Sequence, residues 1–178
     1  MIIMINGAFG AGKTTVSKAL EERIPNSMIY DPEEVGILLR NIISSEVMGQ
    51  AEKTGDFQDF ELWPILVVMT AEQIKKQYNR HLIVPMTLRN IEYFKYIYDG
   101  LGYIDSEIYH FCLKASVTRI HDRLKLRGEK PGSWPFLQTE KCVCAYEKYD
   151  FSEYIDTEQL GVKEIVDIIV RKTIRIVD

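Results

Sequence analysis

The chain has 178 residues, 46% hydrophobic and 27% charged, which suits one folded domain and excludes a disordered polar chain. A formal net charge of -4 gives no overall positive field for nucleic acid or anionic lipid, so any basic site has to be local. No apolar stretch approaches the roughly 20 residues of a membrane-spanning helix. The apolar run at the start is too short for a secretory leader, so a cytoplasmic protein is expected.

The first five residues, "MIIMI", form a short apolar run rich in β-branched side chains, the pattern of a parallel strand buried on both faces. Val16, Leu20 and Ile24 then recur at helical spacing, predicting a helix over 13–23 that Pro25 and Asn26 stop. A second strand is expected over 27–30. The tetrapeptide "DPEE" starts the next helix, with Asp31 as cap, Pro32 in the first turn and Glu34 completing a capping box. Residues 44–56 turn polar with two glycines, and a mobile connection on the acceptor side is expected over about 44–63.

Val67, Ala71, Ile74 and Tyr78 line one face of a further helix. "HLIVPMT" reads as a third strand ending at Pro85, and "IEYFKYIYDGLG" as a helix stopped at Gly100 or Gly102. "SEIYHFCL" predicts a fourth strand, after which Ser116 caps a helix running to Arg127. "RGEKPGS" breaks that helix before another begins at "WPFL". A short strand at "EYIDT" precedes a helix in which Val162, Ile165, Val166, Ile169 and Val170 follow the amphipathic template. Alternating strands and helices imply a three-layer α/β domain over 1–178 with a mostly parallel sheet and right-handed crossovers. Cys112, Cys142 and Cys144 form neither an even set nor a CxxC pair and are expected as reduced thiols in or near the core.

The chemistry begins in "GAFGAGKTT". Gly7, Gly12, Lys13 and Thr14 satisfy the P-loop spacing, between a strand and a helix as that motif requires. The backbone of Gly7, Ala8, Phe9, Gly10, Ala11 and Gly12 would turn its N–H groups around phosphate, aided by the helix N-terminus and Thr15. Lys13 would reach the β and γ phosphates of ATP, and the Thr14 hydroxyl would ligate Mg2+. The plain alternative is a glycine turn followed by an ordinary lysine. An Asn-Lys-x-Asp base reader is missing, which argues against a regulatory GTPase.

A small-molecule kinase fits better, because phosphoryl transfer needs positioning and charge neutralisation above all. Arg123 and Arg127 lie four apart on one helix, before a Gly/Pro stretch that would close as a lid over about 123–135. Equally, they could be a solvated basic helix end. Asp31, at the end of the second strand, would sit near Lys13 and serve as base or hold a metal-bound water, or it is simply a helix cap. Arg40 further along that helix would clamp an anionic acceptor. The third strand ends without a Walker B acid; Thr87 offers only a hydroxyl there. Asp156 ends the last strand, where the base of a nucleotide would lie.

Together "MIIMINGAFGAGKT", "YDPEEVGILLR", "DFQDFELW", "LIVPMT", "RLKLRGEKPGSW" and "QTEKC" resemble the tunicamycin-resistance (TmrB-like) ATP-binding proteins, within the shikimate- and nucleotide-kinase-like P-loop group. The resemblance implies a five-stranded parallel sheet, ATP with Mg2+ at the loop, and a nucleoside-like acceptor such as tunicamycin. By that analogy Asp56, Phe57, Gln58 and Trp63 would face the acceptor, the aromatics by stacking and Gln58 by amide hydrogen bonds. Pro64 stands where the family pattern carries an arginine. Two functions follow as expectations: transfer of the ATP γ-phosphoryl group to a hydroxyl of a small molecule, or ATP-dependent sequestration of that molecule without transfer. Neither needs a nucleic acid or a membrane, and the protein would act as a monomer or homodimer.

Overall fold

A computed structural model of the chain describes residues 1–174. Five parallel strands, β1 (Ile2–Gly7), β2 (Ser27–Ile29), β3 (His81–Met86), β4 (Ile108–Lys114) and β5 (Tyr154–Asp156), form one sheet in the order β2-β3-β1-β4-β5. Seven helices flank it: α1 (Lys13–Arg23), α2 (Pro32–Ile42), α3 (Leu62–Tyr78), α4 (Ile91–Ile104), α5 (Val117–Leu126), α6 (Trp134–Lys148) and α7 (Val162–Thr173). The three-layer α/β expectation holds.

Every residue of β1 is buried because helices cover both faces of the sheet. On one face Ile2, Met4, Leu82, Val84 and Met86 pack against Leu39 of α2, Val67 and Ala71 of α3, and Ile97 and Leu101 of α4. On the other, Ile3, Ile5, Ile83, Phe111 and Leu113 meet Val16 and Leu20 of α1 and Ile165, Val166 and Ile169 of α7. Ile120, Leu124, Phe136, Cys142 and Tyr146 of α5 and α6 close a third cluster over Ala8 and Cys112. Cys112 and Cys142 are buried thiols as expected, whereas Cys144 is exposed, since two residues along α6 points it away from the sheet.

Several boundaries differ from the sequence reading for identifiable reasons. Proline does not stop β3: β2 ends at Ile29, so the side of Pro85 that lacks an N–H faces no strand while its other side pairs with Ile5. Glycine does not stop α4 either. The helix runs through Gly100 and Gly102 to an Asp105 cap, and Gly100 is where α3 comes close, a Cβ there lying 2.8 Å from Val68 carbons. Asp31 caps α2 as read, but its carboxylate accepts from the Glu33 N–H at 3.0 Å in place of the expected box with Glu34. Ser116 caps α5 by accepting from the Arg119 N–H at 3.1 Å.

Candidate functional site

The phosphate loop joins β1 to α1 across the carboxyl edge of the sheet, where ligands of open α/β folds bind. Gly12 has φ +106°, and a Cβ built on it meets nothing within 4 Å, so it borders open space rather than packed chain. Lys13 is buried, with Nζ donating to the Ala8 carbonyl at 3.1 Å and lying 5.4 Å from the centre of the Phe9 ring. Burial pulls its pKa below the ordinary lysine value, offset in part by the carboxylates of Glu33 and Asp31. A cavity of about 110 Å3 opens beside it, lined by Phe9, Gly10, Gly12, Lys13, Thr14, Asp31, Glu33, Pro85 and Arg127. Five positions read from the loop motif thus face one space, whereas Ala8 and Ala11 are buried against the core and Gly7 and Thr15 lie outside the lining.

This cradle fits a triphosphate: a turned backbone at a helix N-terminus, a buried cation and an exposed Thr14 hydroxyl beside it. Among the described residues no three His, Cys, Asp or Glu groups form a metal cluster. A Mg2+ ion here would draw ligands from Thr14 and the phosphates, as this ion does in nucleotide sites.

Opposite Lys13 the cavity wall is acidic. Asp31 lines it while also capping α2, so its capping bond leaves it at the cavity near Lys13. Glu33, two residues on, lines the same wall, and sequence reasoning missed it. Its carboxyl is pushed above the ordinary value by burial, counteracted by Lys13 and reinforced by Asp31 and Asp56. The visible signal was the second acid of "DPEE" in the first helical turn, which capping preference explained too readily.

Arg127 and Arg123 do different jobs. Arg127 lines the cavity at the end of α5. Arg123 donates to the Thr157 hydroxyl at 3.1 Å, the Thr157 carbonyl at 2.6 Å and the Ala11 carbonyl at 3.4 Å. It therefore fastens α5 to the phosphate loop and to the end of β5 instead of lying in the cavity lining. The turn between α5 and α6, with Gly128 and Gly132 at φ +84° and +85°, is where the expected lid lies.

The residues expected to face an acceptor divide in the same way. Trp63 is only 1% exposed, and its indole donates to the Pro32 carbonyl at 3.0 Å, so it is a core residue joining α3 to α2. Phe57 packs 5.5 Å from Trp63 and seats on Gly36. Arg40 bonds the Gly55 carbonyl and covers the Phe57 ring at 5.3 Å. The second half of the 44–63 segment is therefore anchored to α2. Gln58 is 7% exposed: its amide nitrogen donates to the Thr87 carbonyl at 2.6 Å, while Oε1 has no partner. The buried Thr87 hydroxyl also lacks one. Asp56 caps the turn at Phe57–Asp59 and pairs with Arg89 at 3.3 Å.

Asn6 is a further residue that pattern reading passed over. Wholly buried at the end of β1, its Oδ1 accepts from the N–H groups of Gly7 and Leu88, both at 2.8 Å, and from the Tyr146 hydroxyl at 3.2 Å. Its Nδ2 donates to the Leu88 carbonyl at 3.2 Å. One side chain thus ties the phosphate loop, the exit of β3 and α6 together.

No family model matches the chain, and the curated proteins contain no match to it. Among solved structures, the tunicamycin resistance protein of Deinococcus radiodurans superimposes with a TM-score of 0.77 at 27% identity, over 96% of this chain and 94% of its own. A shikimate kinase from Acinetobacter baumannii, solved with shikimate, gives a TM-score of 0.63 at 17% identity, covering 96% and 91%. A gluconokinase from Sinorhizobium meliloti gives 0.64 at 15%, covering 93% and 86%. The last two establish the fold alone. With its phosphate loop and sheet order, the chain is a P-loop protein of the kinase-like fold, resembling a tunicamycin resistance protein along nearly its whole length.

Proposed function

We propose that the chain is a small-molecule kinase that binds ATP with Mg2+ and phosphorylates a hydroxyl of a nucleoside-like or otherwise hydroxylated compound. The observation that carries this reading is the single cavity in which Lys13, Thr14 and Arg127 face Asp31 and Glu33. Bound ATP would supply the phosphoryl group, leaving as ADP when the acceptor oxygen takes its place on the γ-phosphorus. The loop backbone and Lys13 hold the phosphates, Thr14 holds the metal, and Arg127 adds positive charge where negative charge accumulates. Glu33 accepts the hydroxyl proton, and Asp31 orients the acceptor or a metal-bound water. Arg123 keeps α5 and the 123–135 lid in register with the loop. Similarity to the tunicamycin resistance protein of Deinococcus radiodurans makes tunicamycin one candidate acceptor.

Mass spectrometry after incubation with Mg2+-ATP and a panel of tunicamycin, nucleosides and sugars tests this. The expected outcome is one added phosphoryl mass on an acceptor, lost in Lys13→Ala. Retention of an unmodified compound only when ATP is present would replace transfer by sequestration.

A further inference from the structure

The cavity lining carries two acids and two cations. Asp31 and Glu33 line the wall, and Asp56 is close enough to raise the Glu33 pKa. On the phosphate side Lys13 and Arg127 are the cations. Arg40 and Arg89, outside that lining, are both engaged. Arg40 bonds the Gly55 carbonyl and lies over Phe57, pinning the segment before α3. Arg89, three residues past β3, pairs with the largely buried Asp56 at 3.3 Å. Asp56 is itself held in place, because its other carboxylate oxygen accepts from the Gln58 N–H at 3.0 Å.

Next to the Asp56–Arg89 pair lie neutral hydrogen-bonding groups without partners. Gln58 Oε1 and Thr87 Oγ1 are buried and unbonded, on two residues joined by the Gln58-to-Thr87 hydrogen bond. Gln138 Oε1 is also buried and unpaired, one turn before the buried Cys142 on α6. Unpaired buried oxygens are costly unless a ligand supplies donors. Hydroxyl and amide N–H groups would supply donors to the two glutamine oxygens, whereas a carboxylate or phosphate would set acceptor against acceptor there; the Thr87 hydroxyl serves either ligand, as donor or as acceptor.

Resting on the kinase reading for the identity of the acceptor side, we infer that Asp56 is a specificity-determining residue: by neutralising Arg89 it bars anionic acceptors and leaves the subsite to neutral, donor-rich ones. Specificity of this kind is a difference between two affinities, set here by withholding a cation from the wrong ligand. Without its partner, Arg89 would present a guanidinium to a carboxylate in the geometry that favours such pairs.

The test is a gain of binding, read without turnover. Calorimetric titration is done with the loop filled by ADP and Mg2+, so that anions do not bind there. Glucitol and gluconate form one pair of probes, uridine and uridine 5′-monophosphate the other. Wild type should prefer the neutral member of a pair. Asp56→Asn, which keeps an oxygen to cap the turn, should move the ratio toward the anion by about tenfold or more. Arg89→Gln added to Asp56→Asn should abolish that gain, a reversal that general loosening of the fold would not produce. Anion preference in wild type, an unchanged ratio in Asp56→Asn, or no binding by any probe in any variant would overturn the inference. Selectivity without phosphoryl transfer would defeat the kinase reading and leave the role of Asp56 standing; transfer with unchanged selectivity would do the reverse.

Discussion

Asp31 and Glu33 sit two residues apart at one helix start, yet their surroundings separate them. The Asp31 carboxylate is occupied by the Glu33 N–H, a structural bond that any capping aspartate makes. Glu33 is free of that duty and lies half-buried near Lys13, which makes it the better proton acceptor. Glu33→Gln is therefore expected to lower the transfer rate by about a hundredfold or more while ATP binding persists, as loss of a general base does. The same carboxyl sets the acid limb of the pH profile. Its pKa is raised, so the base form is lost as pH falls, with a midpoint above the ordinary glutamate value of 4.5; Asp31→Asn, which removes a neighbouring negative charge, should lower that midpoint and leave the limb itself in place. A profile that ignores Glu33 and follows Asp31 would reverse the assignment. The sequence made Asp31 legible because strand end and cap coincide there. The place of Glu33 in the cavity depends on β3 and the phosphate loop lying across from it.

At the scale of elements, the proposed acceptor wall depends on a gap in α2 that the segment before α3 fills. Gly36 is that gap: a Cβ there would fall 2.3 Å from Phe57 Cγ, far inside contact distance. Phe57 in turn carries Asp56 and Gln58 to Arg89 and Thr87. Alanine normally stabilises a helix interior relative to glycine. Here Gly36→Ala is expected to destabilise the protein by about 1–3 kcal/mol through overpacking, measured by denaturant unfolding. It should also raise the KM for the acceptor more than that for ATP, since the wall moves and the loop does not. Helix periodicity revealed α2 and α3 as elements, but nothing in it marks Gly36, because the contact joins residues 21 positions apart in sequence. The same reason explains Trp63, which looked like a stacking surface and is a core strut bonded to Pro32.

For the whole molecule, the sheet buries a titratable group remote from the phosphate cavity. His110 of β4 lies among Phe94 and Tyr98, with centroids 4.6 and 6.4 Å away, and its Nδ1 is 3.1 Å from the Ser152 carbonyl. Burial drives its pKa down to about 4, against the opposing pull of that carbonyl. The unfolded chain therefore binds the proton first, at its ordinary 6.5, and folding stability drops as pH falls from about 6.5 to about 4. The loss at the acid end is on the order of 3 kcal/mol by linkage. Unfolding free energies measured across that window should show this slope in wild type and a shallower one in His110→Phe, whatever the absolute stability of the variant.

Local chemistry was enough to read the strand, glycine loop and helix of the phosphate site, the alternation that makes a parallel sheet, and the caps at Asp31 and Ser116. Each depends on residues within a turn or two of one another, and backbone sterics and hydrogen bonding act over that range. Only the tertiary structure decided which side chains share the cavity. It placed Glu33 and Arg127 there, drew Arg123 onto Thr157 and Trp63 into the core, and paired Arg89 with Asp56 across 33 positions of sequence. Burial and charge pairing are properties of neighbours in space, and the order of strands in the sheet, not the order of residues in the chain, chooses those neighbours.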